Sequence, residues 1–180
     1  MDRQSSRRSL RSSQRIGIVM GTTSDRDDPR LSYGQDTEPV PQAAVYLVLS
    51  DAERKRGWIR PYREGYKHVG PQGPKYLLHD LTFEQKNTYL GSGYVKYEKY
   101  PEDKESSTIG RFWTQEQLDA VGSGCGVVTW MGAPIAETYA KSPSFYGSTY
   151  CVNCRMHRPV DEFVWVDQKT GRVTEERVGS

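Results

Sequence analysis

The 180-residue chain has three cysteines, arranged Cys125-x25-Cys151-x2-Cys154-x2-His157, and two further histidines, His68 and His79. Three cysteines cannot all pair with one another. A Cys-x2-Cys step spaces two thiols for one metal ion or a redox couple rather than for a disulfide framework. Zinc takes four soft or borderline ligands in a tetrahedron, and a turn of this spacing can hold both sulfurs at about 2.3 Å from the ion. Cys125 stands between Gly124 and Gly126, which permits a second tight turn. Three thiolates and one imidazole close the shell and leave no open position of the kind catalytic zinc retains. The expected cofactor is therefore structural Zn2+ on Cys125, Cys151, Cys154 and a histidine. His157 reaches the ion only if the chain curls back; His68 would pair with Cys125 across an intervening segment. The competing reading is a set of buried free thiols or a redox pair. A thioredoxin-like pair needs a β-α-β context that the chain lacks.

A staple of this kind suits the composition. Only 35% of the residues are apolar and the mean hydropathy is -0.78, although Tyr and Trp are plentiful. The core is expected to be modest, aromatic and helped by a cross-link. Net charge is +2, but Arg3, Arg7, Arg8, Arg11 and Arg15 against Asp2 place +4 in the first fifteen residues, so the remainder carries about -2. That distribution disfavours a nucleic-acid grip by the folded body, which would need its excess cations on a folded face. The longest apolar run, Ala43 to Leu49, falls far short of the roughly 20 residues a bilayer span requires. The stretch Ile16 to Met20 is too short for a signal sequence. No membrane partner, a soluble unsecreted protein and a reducing compartment are the expectations.

Residues 1–42 read as a flexible basic arm and linker: the first fifteen are almost wholly Arg, Ser and Gln, and 22–42 are rich in Asp, Gly, Pro and Thr. The Ser/Arg-rich start is reminiscent of a transit peptide, but Asp2 and the lack of an amphipathic pattern argue against one. Residues 43–180 form the folded domain. Ala43 to Leu49 predicts a buried strand. Ser50 with Glu53, Thr82 with Gln85 and Thr114 with Gln117 have the spacing of capping boxes, predicting three short helices that stop at Gly57, before Gly91 and Gly93, and at Gly122. Tyr94 to Tyr97 alternates like an exposed strand. Pro134 suits the first position of a helix through Lys141, which Pro143 ends. Glu162–Val166 and Arg172–Arg177 read as a hairpin. The fold class is α+β, short helices with a small antiparallel sheet stapled by a zinc-ribbon-like site, without the alternation of a doubly wound sheet.

Catalytic signatures are missing. The deaminase His-x-Glu followed by Pro-Cys-x2-Cys fails, since Val69-Gly70 follows His68 and Thr149-Tyr150 precedes Cys151. His-Glu-x2-His, the P-loop and the Gly-x-Ser-x-Gly elbow are also lacking. Glu137, Tyr139 and Tyr146 lie near the cysteines in sequence and invite an acid/base role, but Trp and Tyr at this spacing suit a core, or an interface, better.

Several segments occur together: Arg60-Pro-Tyr-Arg63, Tyr66-Lys-His68, Cys125-Gly-Val-Val-Thr129, Ala136-Glu-Thr-Tyr-Ala140, Phe145-Tyr-Gly147, Cys151-x2-Cys154-x2-His157 and Glu162-Phe-Val-Trp165. In combination they resemble a group of small uncharacterised zinc-binding proteins of tailed bacteriophages and viral metagenomes, over residues 43–180. In shorter members of that group the histidine matching His68 lies just before the cysteine matching Cys125. The resemblance thus implies that 69–124 is an insertion and that His68 and Cys125 form one knuckle opposite Cys151 and Cys154; His157 is then a hydrogen-bond partner behind the site or the alternative fourth ligand. It implies a viral origin and no assigned activity. The expected function is a non-enzymatic interaction module, a virion component or an early protein binding a host factor, in the virion or host cytoplasm. Its partner is a protein, with nucleic acid as a further partner through the Arg-rich arm and, as a weaker idea, through the ribbon itself. The rival is a zinc-dependent enzyme acting on nucleotides or nucleic acid, with water in place of His68.

Overall fold

The computed structural model describes residues 21–31, 42–89, 91–100 and 109–180. In chain order these form β1 (Gly21–Thr23), β2 (Val45–Leu47), α1 (Asp51–Arg54), β3 (Gly65–His68), β4 (Leu78–Asp80), α2 (Phe83–Thr88) and β5 (Tyr94–Lys99). There follow β6 (Ile109–Thr114), α3 (Gln115–Ala120), β7 (Val128–Trp130), α4 (Ala133–Lys141), β8 (Ser148–Cys151), β9 (Met156–Pro159), β10 (Phe163–Val166) and β11 (Val173–Arg177). The fold is mixed α and β, with small, mostly antiparallel sheets and few helices. No helix among the described residues is long and apolar enough to cross a membrane.

The helix starts follow from local chemistry. Ser50, Thr82 and Thr114 each accept from the backbone amide three residues on, and Glu53, Gln85 and Gln117 each return a bond to the cap amide. Each such cap contributes about 1 kcal/mol. Gly57, Gly91, Gly93 and Gly122 take left-handed φ behind these helices, as αL residues that end helices do. α4 begins at Ala133, with Pro134 in its first turn.

The main sheet runs β11-β10-β3-β7, antiparallel throughout. All four residues of β10, Phe163 to Val166, are buried, as expected for a short continuous apolar run. The core combines Tyr66, Phe163 and Trp165 from this sheet with Ile135, Ala136 and Tyr139 from α4, and with Val48, Met131, Cys151 and Val178.

A second sheet, β4-β5-β6, lies wholly within residues 69–124. Its anchor is Glu98, buried, whose carboxylate accepts from the amides of Lys75 (2.6 Å) and Tyr76 (3.0 Å) and from Trp113 Nε1 (3.0 Å). The segment leaves and rejoins the main sheet at adjacent points. A Cβ on Gly124 would lie 2.4 Å from Gly70 N and 2.3 Å from Val69 C.

Two expectations change. The strand expected over 43–49 is confined to Val45–Leu47, because β1 offers it only three residue pairs. β1 itself falls inside the stretch read as flexible, and it pairs parallel with β2 through Gly21 N to Ala44 O (3.1 Å) and Val48 N to Thr23 O (2.8 Å). Asp28 then clamps Arg30 through both carboxylate oxygens, at 3.0 and 2.7 Å. Composition reflects apolar side chains, whereas main-chain hydrogen bonds hold this segment. The basic stretch 1–15 lies outside the described residues.

Candidate metal centre

Four side chains converge at one end of the main sheet. β3 ends in His68, which stands opposite Phe163 of β10. Cys125 sits in the loop entering β7, where Gly126 N donates to His68 O (2.9 Å) and His68 N to Val127 O (3.2 Å). The β8–β9 hairpin supplies the others: Cys151 closes β8, and Cys154 lies in the turn. There Arg155 adopts a left-handed φ of 55° and its amide donates to Cys151 O (2.8 Å). Close approach of the His68 and Cys125 segments depends on Gly70 and Gly124, between which no Cβ would fit.

One ligand atom from each of His68, Cys125, Cys151 and Cys154 lies within 4.8 Å of every other. Cys125 Sγ is 3.5 Å from Cys151 Sγ, and Cys154 Sγ is 3.4 Å from His68 Nδ1. A zinc tetrahedron built with Zn–S of about 2.3 Å and Zn–N of about 2.0 Å has edges of about 3.8 Å between sulfurs and about 3.5 Å between sulfur and nitrogen. The Cys125–Cys151 and Cys154–His68 separations match those edges to within a few tenths of an ångström, and the sulfur pair is far too long for a disulfide. The cysteines are free. The group can hold a metal ion.

The imidazole is oriented from behind. His68 is 4% exposed, its Nδ1 faces the sulfurs, and its Nε2 lies 3.1 Å from Glu162 Oε2, itself in a residue only 9% exposed. A carboxylate on the far nitrogen places the proton there and leaves Nδ1 as an acceptor, which takes the Cys125 backbone amide at 3.3 Å and lies 3.4 Å from Cys154 Sγ. The Glu162 carbonyl also accepts from Val69 N (2.9 Å) and Gly70 N (3.0 Å), tying the carboxylate to the strand that carries the histidine. Around the hairpin turn, Val152 N donates to Thr129 Oγ1 (3.2 Å), docking the turn on β7.

The thiols feel one another. Burial pushes the Cys125 thiol up, but hydrogen bonds from the Val127 backbone, His68, Cys151 and Cys154 outweigh it and bring the group down to about 7. Burial, then the neighbouring Cys151 and Cys125, drive Cys154 up to about 12. Closely packed thiols resist joint ionisation, and a divalent cation among them reverses that order by supplying the opposing charge.

The other sequence candidates lie elsewhere. His157 is not a member of the group. It stands on β9 opposite Tyr150, with Nε2 3.0 Å from the Tyr46 hydroxyl. The two residues after Cys154 turn the chain back along β8, which carries the imidazole away from the sulfurs. His79 pairs with Tyr97 in the second sheet. Glu137 binds Arg54 at 2.8 Å, and the Tyr139 and Tyr146 rings pack at a tilt of 47° with centroids 4.8 Å apart. Sequence reasoning passed over Glu162 as a ligand-orienting group. Its signal was a carboxylate at the head of the wholly apolar run 163–166, where it is buried beside whatever strand pairs there. Gly70 and Gly124 also went unread as a close-approach pair.

Comparison with protein-family models, with curated proteins and with solved structures returns no match for this chain.

Proposed function

We propose that the protein is a non-enzymatic binding module whose fold is stapled by one structural zinc ion on His68 Nδ1, Cys125, Cys151 and Cys154. The observation that carries this reading is the donor set itself: three sulfurs and one imidazole nitrogen, all within 4.8 Å of one another, with Cys125 to Cys151 at 3.5 Å and Cys154 to His68 at 3.4 Å. Sulfur-rich sets favour zinc over hard cations, and four protein donors complete the shell that structural sites use. The β8–β9 hairpin then acts as a zinc-ribbon-like knuckle locking α4 and the main sheet together. Binding free energy becomes folding free energy, on the order of 10 kcal/mol for small structural zinc sites. The resemblance of residues 43–180 to phage proteins favours a role in the virion or the host cytoplasm, with a protein as partner.

Metal analysis with cobalt substitution tests the centre. The expected result is one zinc per chain and, with Co2+, the absorption of a tetrahedral site with three sulfurs and no exchangeable water. Cys151→Ser should abolish stoichiometric binding and unfold the domain. A chain that folds identically after zinc is stripped, or a cobalt site that takes up exogenous ligands, overturns the proposal. Abundant copies in purified virions are expected of a virion component, and their absence would favour the early-protein version.

A further inference from the structure

The three thiols differ in how far solvent reaches them. Cys151 is wholly buried, at 0% exposure, whereas Cys125 and Cys154 are partly exposed. Cys125 Sγ stands 3.5 Å from Cys151 Sγ, and Cys154 Sγ lies against the imidazole, 3.4 Å from His68 Nδ1. Cys125 is also flanked by the exposed Gly126, which has no side chain to screen the sulfur. A thiol that a small oxidant can reach is therefore in contact with a sealed one. An oxidised cysteine in that position has its resolving partner at hand.

We infer that the centre is a redox-exchangeable staple: a peroxide joins Cys125 to Cys151 as a disulfide, and that bond replaces the metal in tying the loop before β7 to β8. The metal half of this inference rests on the zinc reading above; the pairing rests on the sulfur positions. It differs from a Cys-x2-Cys redox couple. Joining Cys151 to Cys154 would close a four-residue ring across a turn already fixed by the Arg155 amide on Cys151 O (2.8 Å) and the Val152 amide on Thr129 Oγ1 (3.2 Å), and short stiff loops close poorly. Joining Cys125 to Cys151 asks the two side chains to bring their sulfurs from 3.5 Å to about 2.0 Å.

Hydrogen peroxide alone balances the reaction. The Cys125 sulfur attacks one peroxide oxygen, the O–O bond breaks, an S–O bond forms, and the departing hydroxide takes a proton to become water. The Cys151 sulfur then attacks the Cys125 sulfur, the S–S bond forms, and the S–O bond breaks to release a second water after protonation. The two sulfurs lose two electrons and the peroxide gains both. The protons come from the thiols where they carry them and from solvent where they are thiolates. Only His68 Nδ1 and Cys154 Sγ then remain as donors, two where structural zinc takes four. The cross-link persists nonetheless. The new bond joins positions 26 apart and encloses β7 and α4, which bring Ile135, Ala136 and Tyr139 to the core. Closing a loop of that length restricts the unfolded chain. The fold thus keeps a staple in reducing surroundings, through zinc, and in oxidising ones, through the disulfide.

The test treats the full zinc-loaded chain with hydrogen peroxide at neutral pH. Zinc release is read with a chromophoric chelator, the linkage by alkylation, digestion and fragment mass spectrometry, and folding by thermal melting. One zinc should leave for each disulfide formed, the linkage should be Cys125 to Cys151, and Cys154 alone should alkylate. The oxidised chain should melt above the reduced chain stripped of zinc, and a thiol reductant with added zinc should restore the starting state. Cys154→Ser should still form the bond and Cys125→Ser should not. Because replacing a ligand weakens folding, the linkage map of the parent chain is the deciding measurement. A Cys151–Cys154 bond, sulfinic acid without a cross-link, bonds between chains only, zinc retained beside the new disulfide, or an oxidised chain that melts no higher than the stripped one would each overturn the inference. One zinc at the outset with no Cys125–Cys151 bond overturns the exchange and leaves the zinc staple standing. A Cys125–Cys151 bond in a chain that never held zinc overturns the staple, and the exchange with it.

Discussion

Replacing Glu162 probes whether the proposed zinc site is built from more than the four side chains His68, Cys125, Cys151 and Cys154. The carboxylate sits 3.1 Å from His68 Nε2 with both residues almost sealed from water. Glu162→Ala therefore removes a charge-assisted hydrogen bond and leaves a buried N–H unpaired. Outer groups of this kind are worth about 10–100-fold in metal affinity. At about 1.4 kcal/mol per factor of ten, this is roughly 1.4–2.8 kcal/mol. Zinc binds only the folded chain in this scheme, so the same free energy leaves the stability of the loaded protein. For a chain of this size, melting should drop by about 2–4 °C per kcal/mol. Glu162→Gln keeps the volume and a carbonyl acceptor, loses only the charge, and should sit near the tenfold end. The Glu162 carbonyl, which accepts from Val69 and Gly70, is unaffected by either change, so the strand pairing survives. Competition for zinc with a chromophoric chelator at neutral pH reads the affinity. If Glu162→Ala held zinc within twofold of the parent chain, the orienting role would be refuted.

His157→Ala should leave zinc affinity unchanged in the same competition assay, since the ring lies on Tyr46, while losing about 1 kcal/mol of stability with that hydrogen bond; a large loss of zinc would reinstate His157 as the ligand. Gly124→Ala forces a Cβ to 2.3–2.5 Å from the backbone of Val69 and Gly70, so it should separate His68 from Cys125 and cost several kcal/mol, of the order of other overpacking substitutions (about 1–3) or more, read as lower melting and weaker zinc binding together. On the alkaline side, burial pushes Tyr46 up to about 12 and raises Tyr66, Tyr139 and Tyr146 as well. The unfolded phenols ionise near pH 10, so above that the folded state retains protons the unfolded chain has lost. The stabilising contribution is whole below about pH 10 and is lost as pH rises toward about 12; denaturant midpoints that stay flat across this window would contradict it.

How much of this was legible in the sequence depends on how local each signal is. The capping boxes at Ser50, Thr82 and Thr114 were readable because the cap and its partner are three residues apart and satisfy each other whatever surrounds them. The β10–β11 hairpin was readable because its turn is short and its first strand wholly apolar. β3 was not. Gly65-Tyr-Lys-His68 has neither a long apolar run nor clean alternation, yet it becomes an inner strand of the main sheet because β10 and β7, distant in sequence, pair on its two sides. β1 was lost for a similar reason: three small polar residues gain their order from the main chain of β2.

The candidate site divides along the same line. Cys-x2-Cys is a local pattern and announces two donors, whereas the choice between His68 and His157 is a question of chain path. His157 is nearer in sequence by far, but a two-stranded hairpin reverses the chain immediately after Cys154 and returns His157 along β8 toward Tyr46. His68 is 57 residues from Cys125, yet is brought beside it by β3–β7 pairing, with the glycines at 70 and 124 letting the two backbones touch. Glu162 then arrives opposite the same strand because Phe163 is in register with His68. One antiparallel sheet thus places an imidazole, the thiol-bearing loop beside it and the carboxylate behind it. The hairpin has only to bring the remaining two sulfurs. If that division of labour is right, changes that loosen the sheet at Gly124 should cost zinc affinity as surely as loss of a cysteine, whereas changes at His157 should not.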